Sequence, residues 1–277
     1  MTARLHRERV IGAEKSPSRW FAMTHGIYGS GGNWRSIARK IIERRPEWGA
    51  ILVDLRGHGR SEQGAPPHTI AACADDLRAC LDEEVGEGGV EVVAGHSFGG
   101  KCVLALRKTM QTQQTWVLDS TPSARPGMWE RPDNDVRYVW DAMRELPKSW
   151  PKRDDFIAAL IARGHSKTLA QWLAMSLHPN AEHRVTLALD LDAVKAMLLD
   201  YYAIDLWSAV EDDRLPGDVH VVVAERSDTV SGADRARLAA EPPERRVYTH
   251  IIEGAGHWLH LDAPAAVIEL IATSLPR

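Results

Sequence analysis

The sequence predicts an α/β fold in which a mostly parallel sheet is covered by helices on both faces. Short apolar runs typical of buried strands alternate along the chain with longer stretches whose apolar residues have helical spacing. One strand-to-helix junction carries a glycine-rich turn, GHSFGG at residues 95–100. Over residues 121–210 the alternation stops, and the pattern indicates several helices without a strand. We therefore expect a core formed by residues 1–120 and 211–277, with residues 121–210 inserted as a helical cap.

Seven apolar runs are predicted to be the strands of the core. Each is four to seven residues long, a usual length for strands in globular proteins. In chain order they are residues 5–11, 19–24, 49–53, 90–94, 115–118, 218–223 and 247–252. Helical stretches separate most of them, and a connection of that length is what parallel pairing requires.

Two helices of the first half are predicted from capping and periodicity. Asn33 is of a residue type that caps helices, and apolar residues recur at spacings of three and four over residues 34–42. A second helix is predicted over residues 70–84, with Cys73 and Cys80 on its apolar face. Free cysteine packs as a small hydrophobe, so both are expected in the core.

Composition limits the possible partners and locations. The chain has 277 residues, 44% of them hydrophobic, which is enough for one sizeable core with an insertion. A net charge of −4 argues against nucleic acid or an anionic membrane as the main partner, and no apolar stretch approaches the length of a membrane span. Three cysteines without framework spacing predict a reducing compartment, the cytoplasm, with a cleaved organellar targeting peptide as an alternative. Whether the chain is a monomer or a dimer stays open.

The turn at residues 95–100 has the pattern of a nucleophile elbow, G-x-S-x-G. Such a turn forces its serine, here Ser97, into a strained backbone conformation that crowds the neighbouring residues. Glycine is therefore favoured two positions before and two positions after it. The strain exposes the hydroxyl, and the following helix directs its positive N-terminus to the place where an oxyanion forms. These features predict Ser97 as a nucleophile.

The same residues nearly fit a phosphate-binding loop, G-x-x-x-x-G-K-[ST]. Cys102 stands where that loop needs a hydroxyl for Mg²⁺. A D-x-x-G segment at residues 54–57 lies upstream of the loop, whereas a nucleotide hydrolase has it downstream. The nucleotide-hydrolase interpretation is therefore disfavoured.

A serine nucleophile needs a base, and His257 is the candidate. It lies in the small-residue segment GAGH, after the last predicted strand. A histidine at the carboxyl end of that strand can reach the elbow, and the order of serine before histidine is that of a known hydrolase class. His260 forms an H-x-x-H pair with it, but no carboxylate or cysteine pattern completes a metal site, so we expect no metal.

An oxyanion hole needs two backbone N–H groups directed at one point. One is predicted to come from Phe98, directly after the nucleophile. The other is predicted to come from Ile27, in the loop after an early strand, where several glycines allow a close approach to a substrate.

Taken together, these segments resemble the α/β-hydrolase superfamily. The motifs stand in its usual order over nearly the whole chain: HG at 25–26, DLRGHGRS at 54–61, GHSFGG at 95–100 and GAGH at 254–257. The elbow continuing into Lys101, the segment DSTP at 119–122 and the ending GHWLH are similar to a narrower branch of small bacterial and organellar esterases. The resemblance implies hydrolysis of acyl esters or thioesters without a cofactor.

The third member of the triad has two candidates. Asp119 ends the strand after the elbow helix, where the narrower branch keeps its acid. Asp228 follows the strand at 218–223, where most of the superfamily keeps it. The branch similarity favours Asp119, with Asp228 as the alternative.

We therefore expect a serine esterase or thioesterase acting on a small-molecule substrate. Hydrolysis of C–C bonds or lactones, or haloperoxidase activity on the same triad, is an alternative, and a ligand receptor with a vestigial triad is another of a different class. The cap contains half of the ten tryptophans, and whether they line a substrate pocket or fill the cap's core stays open, with the core favoured for any single one. The tryptophans favour an apolar acyl or alkyl portion of the substrate, whereas arginines such as Arg125, Arg131 and Arg137 could instead meet an anionic leaving group. Lys101, His96, Arg56 and His58 are predicted to have structural roles.

Overall fold

The computed structural model describes residues 2–13, 16–85 and 89–277, and its centre is a seven-stranded sheet. Its strands are β1 (Arg7–Val10), β2 (Arg19–Thr24), β3 (Trp48–Val53), β4 (Val92–His96), β5 (Gln114–Leu118), β9 (Asp218–Ala224) and β10 (Val247–Ile252). Their spatial order is β1-β3-β2-β4-β5-β9-β10. All neighbours pair in parallel except β1, which runs antiparallel to β3. The α/β prediction is confirmed, with strand ends within two residues of those predicted from the sequence.

The strand order reverses between β2 and β4, because the chain adds β3 on one side of β2 and β4 on the other. At such a switch point the loops after two adjacent parallel strands diverge and leave a crevice at their carboxyl ends. The loop after β2 and the turn after β4 therefore face each other at one edge of the sheet. The ends of β5, β9 and β10 lie along the same edge.

Eleven helices are formed by the described residues. They are α1 (Arg35–Arg44), α2 (Ile70–Val85), α3 (Phe98–Arg107), α4 (Asp135–Glu145), α5 (Arg153–Ala162), α6 (Lys167–Leu173), α7 (Leu191–Ala203), α8 (Trp207–Glu211), α9 (Gly232–Ala239), α10 (Leu259–Asp262) and α11 (Pro264–Ser274). Helices α1 and α11 pack together over one face of the sheet, and α2, α3 and α8 pack over the other. All three cysteines are buried and free.

The central strands are buried along their whole length, as expected for a sheet covered on both faces. Every residue of β3, β4 and β5 is buried. The prediction that Asn33 caps the N-terminus of α1 is wrong in detail. A 3-10 turn, Gly31–Trp34, precedes α1, and the side chain of Asn33 accepts a hydrogen bond from the Ser30 N–H before that turn.

The segment between β5 and β9 contains α4 to α8, but it also contains three short strands, so the expectation of no strand there was wrong. These are β6 (Ser149–Trp150), β7 (Leu177–Pro179) and β8 (Val185–Leu187), which form an antiparallel sheet in the order β6-β8-β7. Strands of two or three residues are too short to show an alternating pattern. The predicted cap boundary after residue 210 falls inside α8.

None of the helices in the described ranges combines the length and the apolarity that a membrane crossing requires.

Candidate active site

Ser97 lies in the sharp turn between β4 and α3, with φ 52° and ψ −115°. This combination is outside the regions that side-chain-bearing residues normally occupy, and such strain is retained where the surrounding structure enforces it. Its N–H donates to Leu118 O at 3.0 Å, and its carbonyl accepts from Gly100 N–H at 2.9 Å. The backbone of the turn is thus fixed from both sides.

The glycines of the turn are explained by close backbone contacts. A Cβ at Gly95 would lie 2.1 Å from Gly99 O, and a Cβ at Gly99 would lie 2.5 Å from His25 O. A Cβ at Gly100 would lie 2.4 Å from the Cβ of Ser120. No side chain tolerates such distances, so the G-x-S-x-G-G pattern follows from how closely β4, α3 and their neighbours approach.

Gly95→Ala is therefore expected to lower the free energy of unfolding by more than about 3 kcal/mol, above the range typical of core overpacking, because its clash is with backbone. Urea denaturation followed by circular dichroism measures the change. Gly232→Ala is the matched control, since a Cβ at Gly232 in the first turn of α9 would meet no atom within 4 Å. An equal effect of the two substitutions would contradict the steric explanation.

Ser97, His257 and Asp119 form a continuous hydrogen-bonded chain. Ser97 Oγ lies 3.0 Å from His257 Nε2, and His257 Nδ1 lies 2.7 Å from Asp119 Oδ2. Because an ionised carboxylate only accepts, Nδ1–H donates to Asp119 and the Nε2 lone pair faces the serine hydroxyl. Asp119 is fully buried, and the His257 side chain is 29% exposed. This arrangement can remove the proton from Ser97.

The Asp119 carboxylate has further donors on both oxygens. Oδ1 accepts from Ala224 N–H at 3.0 Å, and Oδ2 accepts from Ser227 Oγ at 2.6 Å as well as from His257. Asp228, the alternative acid, is exposed and makes no side-chain hydrogen bond or ion pair within the ranges described. The carboxylate in contact with the imidazole is therefore that of Asp119.

Two polar side chains of this site were missed by the sequence reasoning. Ser227 and Thr229 lie in the loop after β9, and Thr229 Oγ1 is 3.1 Å from both His257 Nδ1 and Ser227 Oγ. In the sequence, the loop after β9 is distinguished only by the carboxylate of Asp228. A better signal was the loop's position at the carboxyl end of a strand, where hydroxyl side chains also reach the histidine.

His96, directly before Ser97, makes a hydrogen bond to the loop that carries His257. Its Nε2 lies 2.8 Å from the carbonyl oxygen of His257, and this contact requires Nε2–H as the donor. Burial lowers the pKa of His96 well below its usual value, so the ring is neutral at physiological pH. His260 packs against it, and burial lowers the pKa of His260 to about 4. Among the residues described, no group of three or more His, Cys, Asp or Glu side chains is placed to hold a metal ion.

The loop after β2 lies against the elbow. A Cβ on Gly26 would be 3.2 Å from the Ser97 Cβ. The N–H groups of Ile27 and Phe98 donate to no other described residue, and both side chains are buried. His25 fixes this loop: Leu55 N–H donates to its Nε2 at 3.0 Å, so its Nδ1–H donates to Gly26 O at 2.7 Å. Burial lowers the pKa of His25 to about 4, which keeps the ring neutral.

The polar side chains of segment 54–61 make structural contacts, as predicted for Arg56. The carboxylate of Asp54 accepts from Gly31 N–H at 2.7 Å and from Arg60 N–H at 2.9 Å. Arg56 forms a buried ion pair with Asp76 at 2.6 Å. The Gly31 contact connects the loop after β3 to the loop after β2, and the ion pair connects it to α2.

Lys101 is fully buried in α3, and its partners are carbonyls. Nζ donates to Ser123 O at 2.9 Å, Tyr201 O at 2.7 Å and Ile204 O at 2.8 Å. Burial lowers the pKa of Lys101 to about 8. Two of the carbonyls lie at the C-terminal end of α7, so Lys101 joins the elbow helix to the segment between β5 and β9.

A cavity of about 720 Å³ opens onto Ser97 and His257. Its walls come from the loop after β2, the segment between β5 and β9, the loop after β9 and the loop that carries His257. Of the five tryptophans between residues 121 and 210, Trp172 lines the cavity, packing edge-on against Trp258 with ring centroids 4.4 Å apart. Trp129, Trp140 and Trp207 are buried in the hydrophobic core.

The family model of the alpha/beta hydrolase family matches residues 21–270, nine-tenths of the chain. The chain belongs to this family. It is 28% identical over 254 residues to the esterase YbfF of Escherichia coli, with 90% of each chain covered. It is 24% identical over 273 residues to the sn-1-specific diacylglycerol lipase ABHD11 of Danio rerio, with 94% of this chain and 80% of that protein covered.

Solved structures show the same fold. A marine microorganism esterase superposes with a TM-score of 0.81 at 21% identity, covering 99% of this chain and all of that one. A thioesterase domain from the curacin biosynthetic pathway superposes with a TM-score of 0.69 at 17% identity, covering 97% of this chain and 95% of that one.

Proposed function

We propose that this alpha/beta hydrolase is a serine esterase or thioesterase that cleaves small acyl substrates through an acyl-enzyme on Ser97. The observation that carries the proposal is the 3.0 Å contact between Ser97 Oγ and His257 Nε2 at the strained turn. A serine hydroxyl becomes an effective nucleophile when a positioned base removes its proton. The relatives YbfF, an esterase, and ABHD11, a diacylglycerol lipase, support an ester as the substrate.

In the first half-reaction, Ser97 Oγ attacks the acyl carbon while His257 Nε2 takes its proton. The imidazolium then gives this proton to the leaving oxygen or sulfur, and the bond to the leaving group breaks. In the second half-reaction, His257 takes a proton from water, the hydroxide attacks the acyl-enzyme, and Ser97 recovers its proton as the acid leaves. No cofactor is needed for either step.

Asp119 is our proposed acid of the triad. Its Oδ2 contact holds the imidazole with Nδ1 protonated and stabilises the imidazolium that forms during each half-reaction. Ser227 Oγ–H and Ala224 N–H both donate to the carboxylate and fix its orientation.

The N–H groups of Phe98 and Ile27 are our proposed oxyanion hole. Both lack partners among the described residues, and Ile27 lines the same cavity as Ser97. Phe98 directly follows Ser97 and is the first residue of α3, where the helix dipole favours negative charge. Each such donor contributes on the order of 10²–10³ in turnover.

Residues 121–210 are our proposed cap, and it contributes most of the substrate-facing wall. Two hydrogen bonds join it to the oxyanion loop: Tyr28 Oη donates to Val136 O at 2.9 Å, and Ser176 Oγ donates to Tyr28 O at 3.0 Å. The cap can therefore couple substrate binding to the position of Ile27. Three free cysteines support the cytoplasm as the location.

Active-site labelling and a substrate series test the proposal. Folded protein treated with a fluorophosphonate should gain one adduct, located on Ser97 by peptide mass spectrometry. Purified protein should also hydrolyse 4-nitrophenyl esters and acyl thioesters of increasing chain length. Folded protein that gains no adduct would instead be a ligand receptor with a vestigial triad. A labelled protein that cleaves lactones or C–C bonds but no ester would favour the alternative chemistry on the same triad.

A further inference from the structure

One charged residue of the cavity wall, Arg125, differs from the others in its burial. Six charged residues line it, and five of them are exposed: Arg131, Asp133, Asp135, Arg226 and Asp228. These five carry nearly balanced charge, and Arg131 forms an ion pair with Asp133 at 2.6 Å. Arg125 alone among the described charged residues of the wall is partly buried.

Arg125 forms no ion pair with a described carboxylate. The side-chain contact of its guanidinium is a long one, 3.6 Å to Met128 Sδ. Its backbone is fixed, because Arg125 N–H donates to Tyr202 O at 2.6 Å. A partly exposed guanidinium without a carboxylate partner is available to bind an anion from the cavity. By contrast, Arg137, another arginine of this segment, lies 3.5 Å from Asp141.

Two tyrosine side chains line the same cavity as Arg125. Tyr201 and Tyr202 both line the cavity, and burial raises the pKa of each phenol while the nearby charge of Arg125 opposes the rise. Both phenols therefore stay protonated and can donate. Tyr202 Oη is 3.4 Å from Asn134 Oδ1, and Tyr201 Oη is 3.5 Å from Ser120 Oγ. Contacts of that length are at the limit of hydrogen bonding, so both hydroxyls are able to turn to a better acceptor.

We infer that the cavity selects esters or thioesters that carry a carboxylate away from the scissile bond, and that Arg125 binds this carboxylate with the hydroxyls of Tyr201 and Tyr202. This inference rests on the proposed function and names its substrate class. A guanidinium and hydroxyls match a carboxylate through charge-assisted hydrogen bonds. The carboxylate belongs either to the acyl part or to the alcohol part of the substrate, and the two are separable by experiment.

The test compares charged and neutral substrates of equal shape. The mono-4-nitrophenyl ester of adipic acid is matched with 4-nitrophenyl 6-methylheptanoate, in which an isopropyl group replaces the carboxylate. For the alcohol part, 4-acetoxybenzoate is matched with 4-isopropylphenyl acetate. In one of the two pairs the wild-type protein should prefer the charged ester by at least about tenfold in kcat/KM.

Arg125→Met should reduce that preference by about 10- to 100-fold, mainly through a higher KM for the charged ester, because the carboxylate is bound equally before and during reaction. Arg125→Lys should retain part of the preference. Arg137→Met is the matched control, since Arg137 is not among the residues that line the cavity and lies 3.5 Å from Asp141, and it should change the preference by less than about threefold.

A wild-type protein that cleaves both members of each pair equally well would overturn this inference and leave the proposed function intact. The same holds if Arg125→Met and Arg137→Met change the preference equally. If neither member of either pair is cleaved and a fluorophosphonate does not label Ser97, the proposed function fails first. Turnover of the neutral ester by Arg125→Met shows that this variant has folded.

Discussion

Replacing Ser97 by alanine should lower kcat for ester hydrolysis by a factor on the order of 10⁶. The variant retains His257 and the N–H groups of Phe98 and Ile27, but no oxygen remains to attack the acyl carbon. The turn itself should persist, because its backbone is held by Leu118 O and by Gly100 N–H, which contact main-chain atoms of residue 97. Only slow attack by water from the preorganised site should remain.

The measurement is kcat on the best 4-nitrophenyl ester of the series, with fluorophosphonate labelling as a second readout. Ser208→Ala is the control. Ser208 is exposed, accepts a hydrogen bond from Lys108 and is not among the residues that line the cavity, so this variant should retain wild-type turnover. Thermal unfolding confirms that both variants are folded. If folded Ser97→Ala retained more than about 1% of activity, Ser97 could not be the nucleophile.

Asp119→Asn should lower kcat by about 10⁴-fold, for a reason visible in the contacts of its two oxygens. The amide oxygen must face a donor, and Ala224 N–H is a main-chain donor that cannot move away. The amide NH₂ then faces His257 Nδ1, which has to become an acceptor. The ring proton consequently moves to Nε2, and Ser97 loses its base.

Asp228→Asn is the matched control, because it makes the same chemical change in an exposed side chain of the neighbouring loop. Its kcat should stay within about twofold of wild type, because the exposed Asp228 side chain makes no hydrogen bond or ion pair with a described residue. The readout is kcat together with fluorophosphonate labelling rate, since both depend on an activated Ser97. A large loss in Asp228→Asn with normal activity in Asp119→Asn would assign the acid to Asp228 and refute our choice.

Much of the fold was predictable because its signals are local. The strands of the central sheet are continuous apolar runs, and the steric demands of the elbow appear as three glycines around Ser97. The strands β6, β7 and β8 were not predictable, since segments of two or three residues owe their conformation to neighbours that are distant in sequence.

The site was predictable in part. Ser97 and His257 stand in recognisable local patterns, and the structure brings their side chains to 3.0 Å. The choice between Asp119 and Asp228 stayed open in the sequence, because both follow strands whose carboxyl ends meet at the same edge. Ser227 and Thr229 were not found, since a hydroxyl in a loop has no distinguishing pattern.

By itself, the sequence determined the layered α/β arrangement and the position of a strained serine turn, because hydrophobic periodicity and glycine placement act over a few neighbouring residues. Only the tertiary structure decided which carboxylate touches the imidazole and which arginine of the cavity wall lacks a partner. Both depend on distances between side chains that are about a hundred residues apart or more, such as the 2.7 Å contact of Asp119 with His257. Such distances result from how strands and loops pack, and no local pattern records them.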